Sequence, residues 1–307
     1  MRIITNKDEW NKLLESRFYG KYDIYFKYEY LDLWANWYGG IPEAIYWTND
    51  ASEVFWTHIV LDKEVDYNTS KFDLTTPYGY GGYLLNDHGG LDEFYRRYLA
   101  YLKGRKEFIR LHPIFCDWRY ITPGFKLQLV DDIIVVDLTK KPEILFTEFK
   151  TDRRRNIRKS KRKGLTTNII KSPTKEQIKK FSELYYNAMD LNNAGERYYF
   201  PLEFLENHFK YLDAVLVNAE KDGEIIGSSI FILGSDTIEY HLSGRDYSDK
   251  TLCPHDLILW NMIQWANQNG YRRLILGGGR GNNDTLYNFK RGFSKLTYPY
   301  YVGKIND

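Results

Sequence analysis

The residues that could do chemistry cluster late in the chain. A short apolar stretch, Arg272 to Leu276, runs into Gly277-Gly278-Gly279-Arg280-Gly281, a polar cap Asn282-Asn283-Asp284, and Leu286-Tyr287-Asn288-Phe289-Lys290-Arg291-Gly292-Phe293. Strand, glycine loop and helix start present backbone N–H groups, that of Gly279 among them, where they suit an anion or an oxyanion. A P-loop is not supported, because no Lys-Ser or Lys-Thr follows the glycines. A dinucleotide fingerprint is not supported either: Asn282 stands where its third glycine belongs. The same residues would equally make a tight turn with no ligand. Lys290 offers a cation for negative charge growing on a carbonyl oxygen; one such donor is worth about 3 kcal/mol. A surface lysine fits the same sequence.

Two further groups carry polar chemistry. Thr237 to Ser243 alternates as a strand, with Ile238, Tyr240 and Leu242 on one face and Glu239, His241 and Ser243 on the other. Glu239 or His241 would accept a proton from an amine nucleophile; a hydrogen-bonded structural pair fits as well. No Ser-His-Asp order supports a hydrolase triad. From Lys150 to Lys163 nine residues are basic and one, Asp152, is acidic. Gly164 suits the position after a helix, so Asp152 to Lys163 reads as a helix with Arg155, Arg158 and Arg162 in one stripe. Such a helix is either a solvated face or a phosphate binder for nucleotide, nucleotide-sugar or RNA.

The elements that must position these groups are regular in the second half. Thr174 and Gln177 form a capping box before Ile178, Phe181, Leu184 and Ala188. Asp222-Gly223 is a type I′ hairpin turn between strands Ala214 to Ala219 and Glu224 to Leu233. Pro254 to about Asn269 is a helix. In the first half, Leu91 to Leu102 is a helix stopped by Gly104, Glu107 to Leu111 a strand, and Ile133 to Leu138 another. Helix then strand at 91–111 rhymes with helix then strand at 256–276, which suggests two similar α/β units. The expected boundary lies at 149/150, before the basic helix, and a cleft between the units is the default site.

Composition bounds the rest. The 307 residues are 43% hydrophobic and 27% charged, enough for a substantial core. The net charge of +2 gives no reason to expect DNA. Two distant cysteines and six unpaired histidines argue for a reducing cytoplasm and against a metal site. No signal peptide and no spanning segment of about 18 apolar residues is expected. The 27 tyrosines suit either half-buried sheet or a cleft that stacks rings.

Several stretches together resemble the Fem-type branch of the GNAT-fold acyltransferases. They are Pro77-Tyr78-Gly79-Tyr80-Gly81-Gly82, Phe108-Ile109-Arg110-Leu111-His112-Pro113, Val136-Asp137-Leu138 and Arg154-Arg155-Asn156-Ile157-Arg158-Lys159. Asp222-Gly223-Glu224-Ile225-Ile226-Gly227 and Tyr287-Asn288-Phe289-Lys290-Arg291-Gly292-Phe293 complete the series. The resemblance implies two tandem GNAT-like domains, 1–149 (degenerate) and 150–307, each a mixed, mostly antiparallel sheet flanked by helices. It implies attack of a primary amine on an activated acyl group, with Lys290 stabilising the tetrahedral oxyanion beside the Phe289 backbone. Arg155 and Arg158 would meet acceptor phosphates or donor RNA, and Tyr78 and Arg110 the first-domain side of the cleft. Ser243 and Gly279 join the substrate-binding set. No permanent cofactor is implied; the donor is aminoacyl-tRNA or acyl-CoA, the acceptor a small-molecule or glycopeptide amine. Transfer RNA and transient contact with a membrane surface are further partners. One departure stands out. GNAT acetyltransferases hold coenzyme A with [QR]-x-x-G-x-[GA] ahead of their central helix, and here that place holds Gly244 to Cys253.

Overall fold

The chain divides into two units, Met1–Asp132 with Tyr298–Asp307, and Ile133–Thr297. The computed structural model describes residues 1–67, 70–249, 251–279 and 284–306; Arg280 to Asn283 of the glycine loop and its cap lie outside them. Unit one contains β1 (Arg2–Ile4), α1 (Lys7–Arg17), α2 (Tyr28–Tyr38), β2 (Gly40–Thr48), β3 (Glu53–Tyr67), β4 (Ser70–Thr75), β5 (Gly82–Leu85), α3 (Leu91–Leu102) and β6 (Glu107–Arg110). Then β7 (Lys126–Asp137) begins in unit one and contributes its residues from Ile133 to unit two.

Unit two holds α4 (Pro142–Glu148), α5 (Thr151–Arg162), β8 (Thr166–Ile170), α6 (Lys175–Leu191), α7 (Leu202–Tyr211) and β9 (Ala214–Lys221). It continues with β10 (Glu224–Leu233), β11 (Thr237–Arg245), α8 (Pro254–Gln268), β12 (Arg273–Gly277) and α9 (Thr285–Lys290). The last strand, β13 (Thr297–Ile305), pairs antiparallel with β6, from Val302 beside Arg110 to Ile305 beside Glu107.

The two units repeat one plan. In unit one β1 to β4 run antiparallel in order, with β5 also beside β3, and β4 then pairs with β6 in parallel. In unit two β8 to β11 run antiparallel and β11 pairs with β12 in parallel. A parallel pair needs a crossover, which α3 supplies in one unit and α8 in the other. Each parallel pair is closed by an antiparallel neighbour, β13 on β6 and β7 on β12. This is the physical basis of the helix-then-strand rhyme, and the mixed, mostly antiparallel sheets match the expected fold class. The 149/150 boundary falls inside unit two, between α4 and α5.

Local signals act as read. Thr174 and Gln177 form both bonds of the capping box. Asp222 and Gly223 both have positive φ (52° and 84°), as a type I′ turn requires.

The cores differ in kind. Unit two packs aliphatic side chains of β7, β9, β10 and β12 under α8, with Ile258, Met262 and Ile263 at the centre. Unit one is aromatic: Trp10, Trp34, Trp56, Tyr30, Tyr83 and Tyr98 are fully buried. Of those tyrosines Tyr83 is on a strand, β5, while Tyr30 and Tyr98 reach the core from α2 and α3. Trp56 stacks on Tyr83 (5.7 Å, 11°) and lies 4.6 Å from Tyr98.

One polar cluster sits inside that aromatic core. His58 on β3 is fully buried, its Nε2 3.1 Å from Glu43 on β2 and its Nδ1 3.3 Å from Glu107 on β6. Tyr98 of α3 donates to Glu107 at 2.6 Å, Trp56 donates to Glu107 at 3.0 Å, and Tyr101 donates to Glu43. Burial opposes charge on His58, but the two carboxylates outweigh it and raise its pKa. Burial likewise opposes charge on Glu43; His58, Tyr101 and the nearby Arg105 outweigh it, and its pKa is lowered.

A histidine raised in the folded state contributes stability that is complete below about pH 6.5 and lost as pH rises through its folded value. Glu43 contributes above the ordinary carboxylate range and loses that contribution as pH falls through its lowered value. Thermal unfolding against pH should therefore show a loss on the alkaline side that His58→Gln abolishes, with the variant less stable at pH 6. Parallel curves for the two proteins would refute a charged His58.

Candidate active site

The site grows from one short strand pairing. β11 and β12 are parallel but matched over only three residues, Thr237 to Glu239 beside Arg273 to Ile275. Beyond that β11 stays with β10 as far as Arg245, while β12 reaches Gly277, whose φ is +78°. The register puts His241 on β11 and Gly277 on β12 at matching steps past the last pair, where the two strands part.

Lys290 belongs to that opening. Asp284 caps α9 by accepting from the Tyr287 N–H at 2.6 Å. The helix carries Lys290 inward to 9% exposure, and its Nζ donates to the Gly278 carbonyl at 2.7 Å. An ammonium offers three protons, and a buried one must spend them on oxygen. Gly279 lies against the same cap: a Cβ there would meet the Asp284 carboxylate at 2.6 Å and the Tyr287 Cβ at 2.9 Å. Phe289 packs beside Phe293 and under the Arg153 guanidinium, 5.0 Å from its ring.

The polar row on β11 is altered by a bulge. Ile230 of β10 faces Leu242, but Phe231 faces Tyr240, so His241 is the extra residue. Glu239 is buried, and His241 meets His208 of α7 with the two Nε2 atoms 3.1 Å apart. Ser243 does not continue the row. It lies beside Tyr240, whose phenol burial pushes up to about 12 while Ser243 and Ser229 draw it back. Strict alternation put Ser243 on the opposite face, and the extra residue reverses it.

A cavity of about 300 Å³ lies at the start of α8, lined by Arg153, Asn156, Arg245, Tyr247, Cys253, His255, Asp256 and Phe289. Arg153 of α5 pairs with Asp256 at 3.0 Å and with Asp152 at 2.9 Å. Asn156 donates to Asp256 at 3.3 Å. Burial raises the Asp256 carboxyl to about 6 against the pull of Arg153. His255 donates from Nε2 to the Gly244 carbonyl at 3.1 Å, and burial holds the ring down at about 4, hence neutral. Gly292 lets α9 close on this wall, since a Cβ there would strike Arg153 Cγ at 2.6 Å.

Residues 151–291 match the family model described as "Acetyltransferase (GNAT) domain". Unit two carries a GNAT domain. By sequence, no functionally curated protein matches the chain. By structure, the chain is similar to FemX, with a TM-score of 0.72 at 11% identity, over 99% of this chain and 97% of that one. It is also similar to L-PGS from Bacillus licheniformis (TM-score 0.59, 13% identity, 99% and 93% covered). A conserved protein of unknown function from Bacteroides thetaiotaomicron follows (TM-score 0.58, 15% identity, 90% and 89% covered). At these identities the likeness is one of fold, and the expected Fem-like architecture holds over the whole chain.

Between β11 and α8 the chain supplies side chains to the cavity at the start of α8, among them Arg245, 4.5 Å from the Tyr247 ring, and Cys253. Of the basic helix, Arg155 and Arg158 are exposed and do not line the cavity, and Arg158 lies 5.4 Å from the Phe146 ring. The stripe turned toward α8 is Arg153, Asn156, Ile157 and Ser160. Sequence reading passed over Arg153 and Asp256; their helical positions beside Asn156 and Pro254 were the available signal. Tyr78 and Arg110 belong to unit one. There Tyr78 stacks on Trp34 (5.0 Å, 25°) and Arg110 donates to the Thr76 carbonyl at 3.2 Å.

The raised Asp256 carboxyl makes a signed prediction. Its folded value near 6 lies above the unfolded value near 3.9, so the fold holds the extra proton and stability falls as pH rises between about 4 and 6. Asp256→Asn should remove that slope, a difference on the order of 2 kcal/mol across the interval. Denaturant unfolding of both proteins at pH 4 and pH 7 measures it, and a constant offset between them would count against a buried, reluctant carboxylate.

Proposed function

We propose that the chain is an N-acyltransferase that moves an acyl or aminoacyl group from an activated donor to a primary amine of a cell-envelope, glycan or peptide precursor. The observation that carries this reading is the Lys290 ammonium, buried and held on the Gly278 carbonyl where β11 and β12 part. In the reaction the amine nitrogen bonds to the donor carbonyl carbon, and the carbonyl π electrons move onto oxygen. Lys290 donates to that oxygen, with the Phe289 backbone beside it by the Fem-type resemblance. Collapse expels the alcohol or thiol, which takes a proton, while the nitrogen gives one up to a base, Glu239 or His241.

The donor enters, on this reading, along the cavity at α8. Arg153 and Arg245 provide positive charge there, and the Arg153 Nε is buried without a hydrogen-bond partner among the described residues. Such a wall suits the phosphate-bearing end of an aminoacyl-tRNA or of an acyl-CoA. The resemblance favours the first, and the exposed Arg155 and Arg158 would extend contact along RNA. Tyr78 and Arg110 remain acceptor-binding candidates on the resemblance alone. No helix among the described residues is long and apolar enough to cross a membrane.

Two measurements test the proposal. Lys290→Ala should lower kcat about a hundredfold or more against a panel of aminoacyl-tRNA and acyl-CoA donors, with far-ultraviolet circular dichroism unchanged. Equal turnover would remove Lys290 from the chemistry. Affinity for tRNA should fall steeply between 50 and 200 mM salt, and Arg155→Ala with Arg158→Ala should flatten that slope. Salt-independent binding with thermal stabilisation by coenzyme A would favour an acyl-CoA donor, and tight polyanion binding with silence toward every donor would favour a non-catalytic module that binds RNA or a polyanionic glycan.

A further inference from the structure

A cavity of about 610 Å³ lies within unit one, between α3 and the segment from Arg119 to Pro123. By the repeat it is the counterpart of the cavity at α8. Each lies between a crossover helix and the segment that follows the parallel strand, and each has two arginines in its wall. The unit-one walls are held by bonds of their own. Tyr95 of α3 donates to the Tyr120 carbonyl at 2.6 Å, and Tyr83 of β5 donates to the Asp117 carbonyl at 2.6 Å. The Asp117 carboxylate accepts from the Arg119 backbone N–H at 3.1 Å and from its Nε and Nη2 at 2.8 and 2.5 Å. The His88 ring stacks on Tyr120, 3.8 Å between centroids and 16° apart. The site is thus preformed, as small-molecule sites usually are.

What these bonds leave over is positive charge beside flat rings. On α3, Arg97 pairs with Glu93 at 2.7 Å, whereas Arg96 makes no hydrogen bond or ion pair among the described residues. Among the same residues Arg119 keeps its Nη1 unbonded, and His88 makes no hydrogen bond. One carboxylate, Asp92 in the first turn of α3, lines the cavity against them. Leu91, Leu99 and Ile121 add apolar surface. Guanidinium groups hold phosphate through their forked donors, and an aromatic stack accepts a further flat ring. A bare anion would use the arginines alone, and an alkyl chain the leucines alone; a heterocycle that carries a phosphate uses both. We infer that unit one has a binding site of its own for a nucleoside phosphate, with the base beside His88 and Tyr120 and the phosphate on Arg96 and Arg119. The inference is independent of the acyl-transfer reading, in which none of these residues takes part.

Isothermal titration calorimetry on the full chain tests it, with the common nucleoside 5′-monophosphates as probes. These should bind, and the parent nucleosides and inorganic phosphate should each bind at least about tenfold more weakly. Arg96→Ala and Arg119→Ala should each weaken binding about tenfold, and Tyr120→Ala by a similar factor. Tyr120→Phe keeps the ring and should stay near wild type, and so should Arg245→Ala in the cavity at α8. Silence toward every monophosphate at millimolar concentration would overturn the inference. So would equal affinity for decyl phosphate, which has the charge and no ring. A loss in Arg245→Ala with none in Arg96→Ala would move the binding to unit two and overturn it as well. The Tyr95 bond is made to the Tyr120 backbone, so Tyr120→Ala leaves it in place; should that variant still fail to fold, the exposed Arg96 decides the matter.

Discussion

A buried ammonium has to be met by oxygen, and in unit two the oxygen is the Gly278 carbonyl. That carbonyl is available because β12 stops at Gly277, whose positive φ turns the chain out of the ladder. Had β12 stayed paired with β11, the same groups would be consumed by the sheet. The early end of pairing, the glycine that makes it, and the short helix capped by Asp284 thus act together. The bulge at His241 carries a second polar group of the same strand to His208 of α7.

The two units solve the corresponding position differently. After β6, unit one continues into His112, whose Nδ1 accepts from the Ile114 and Phe115 N–H groups and whose Nε2 donates to Asp23 at 2.6 Å. That imidazole has both nitrogens committed within its own unit. Unit two places a glycine turn and a lysine there. The aromatic core and the His58 cluster of unit one serve stability, and the distinction between the halves lies in which groups remain committed at the end of the parallel pair.

Unit two was legible because its signals are local. A capping box, an Asp-Gly turn with two positive φ values and a glycine after α5 each act within a few residues. Lys290 could be singled out, but its burial could not, since that depends on a carbonyl twelve positions away. The strands from Gly40 to Leu85 escaped reading because β2 is buried on both faces, so its side chains do not alternate. Ser243 was misplaced because a bulge leaves no mark in a single sequence. Arg153 was overlooked for Arg155 and Arg158 because the inward stripe of a basic helix is defined by α8, a hundred residues away, and not by its own composition.

The placement of β13 bears on the order in which the chain folds. Unit one is discontinuous: β6 acquires its antiparallel neighbour only from residues 302–305. On the ribosome, where earlier segments ordinarily fold first, the first-made half must therefore wait with an open edge while the second-made half emerges and completes itself. The free edge of β6 is thus exposed until unit two has been made, and residues 302–305 then cover it.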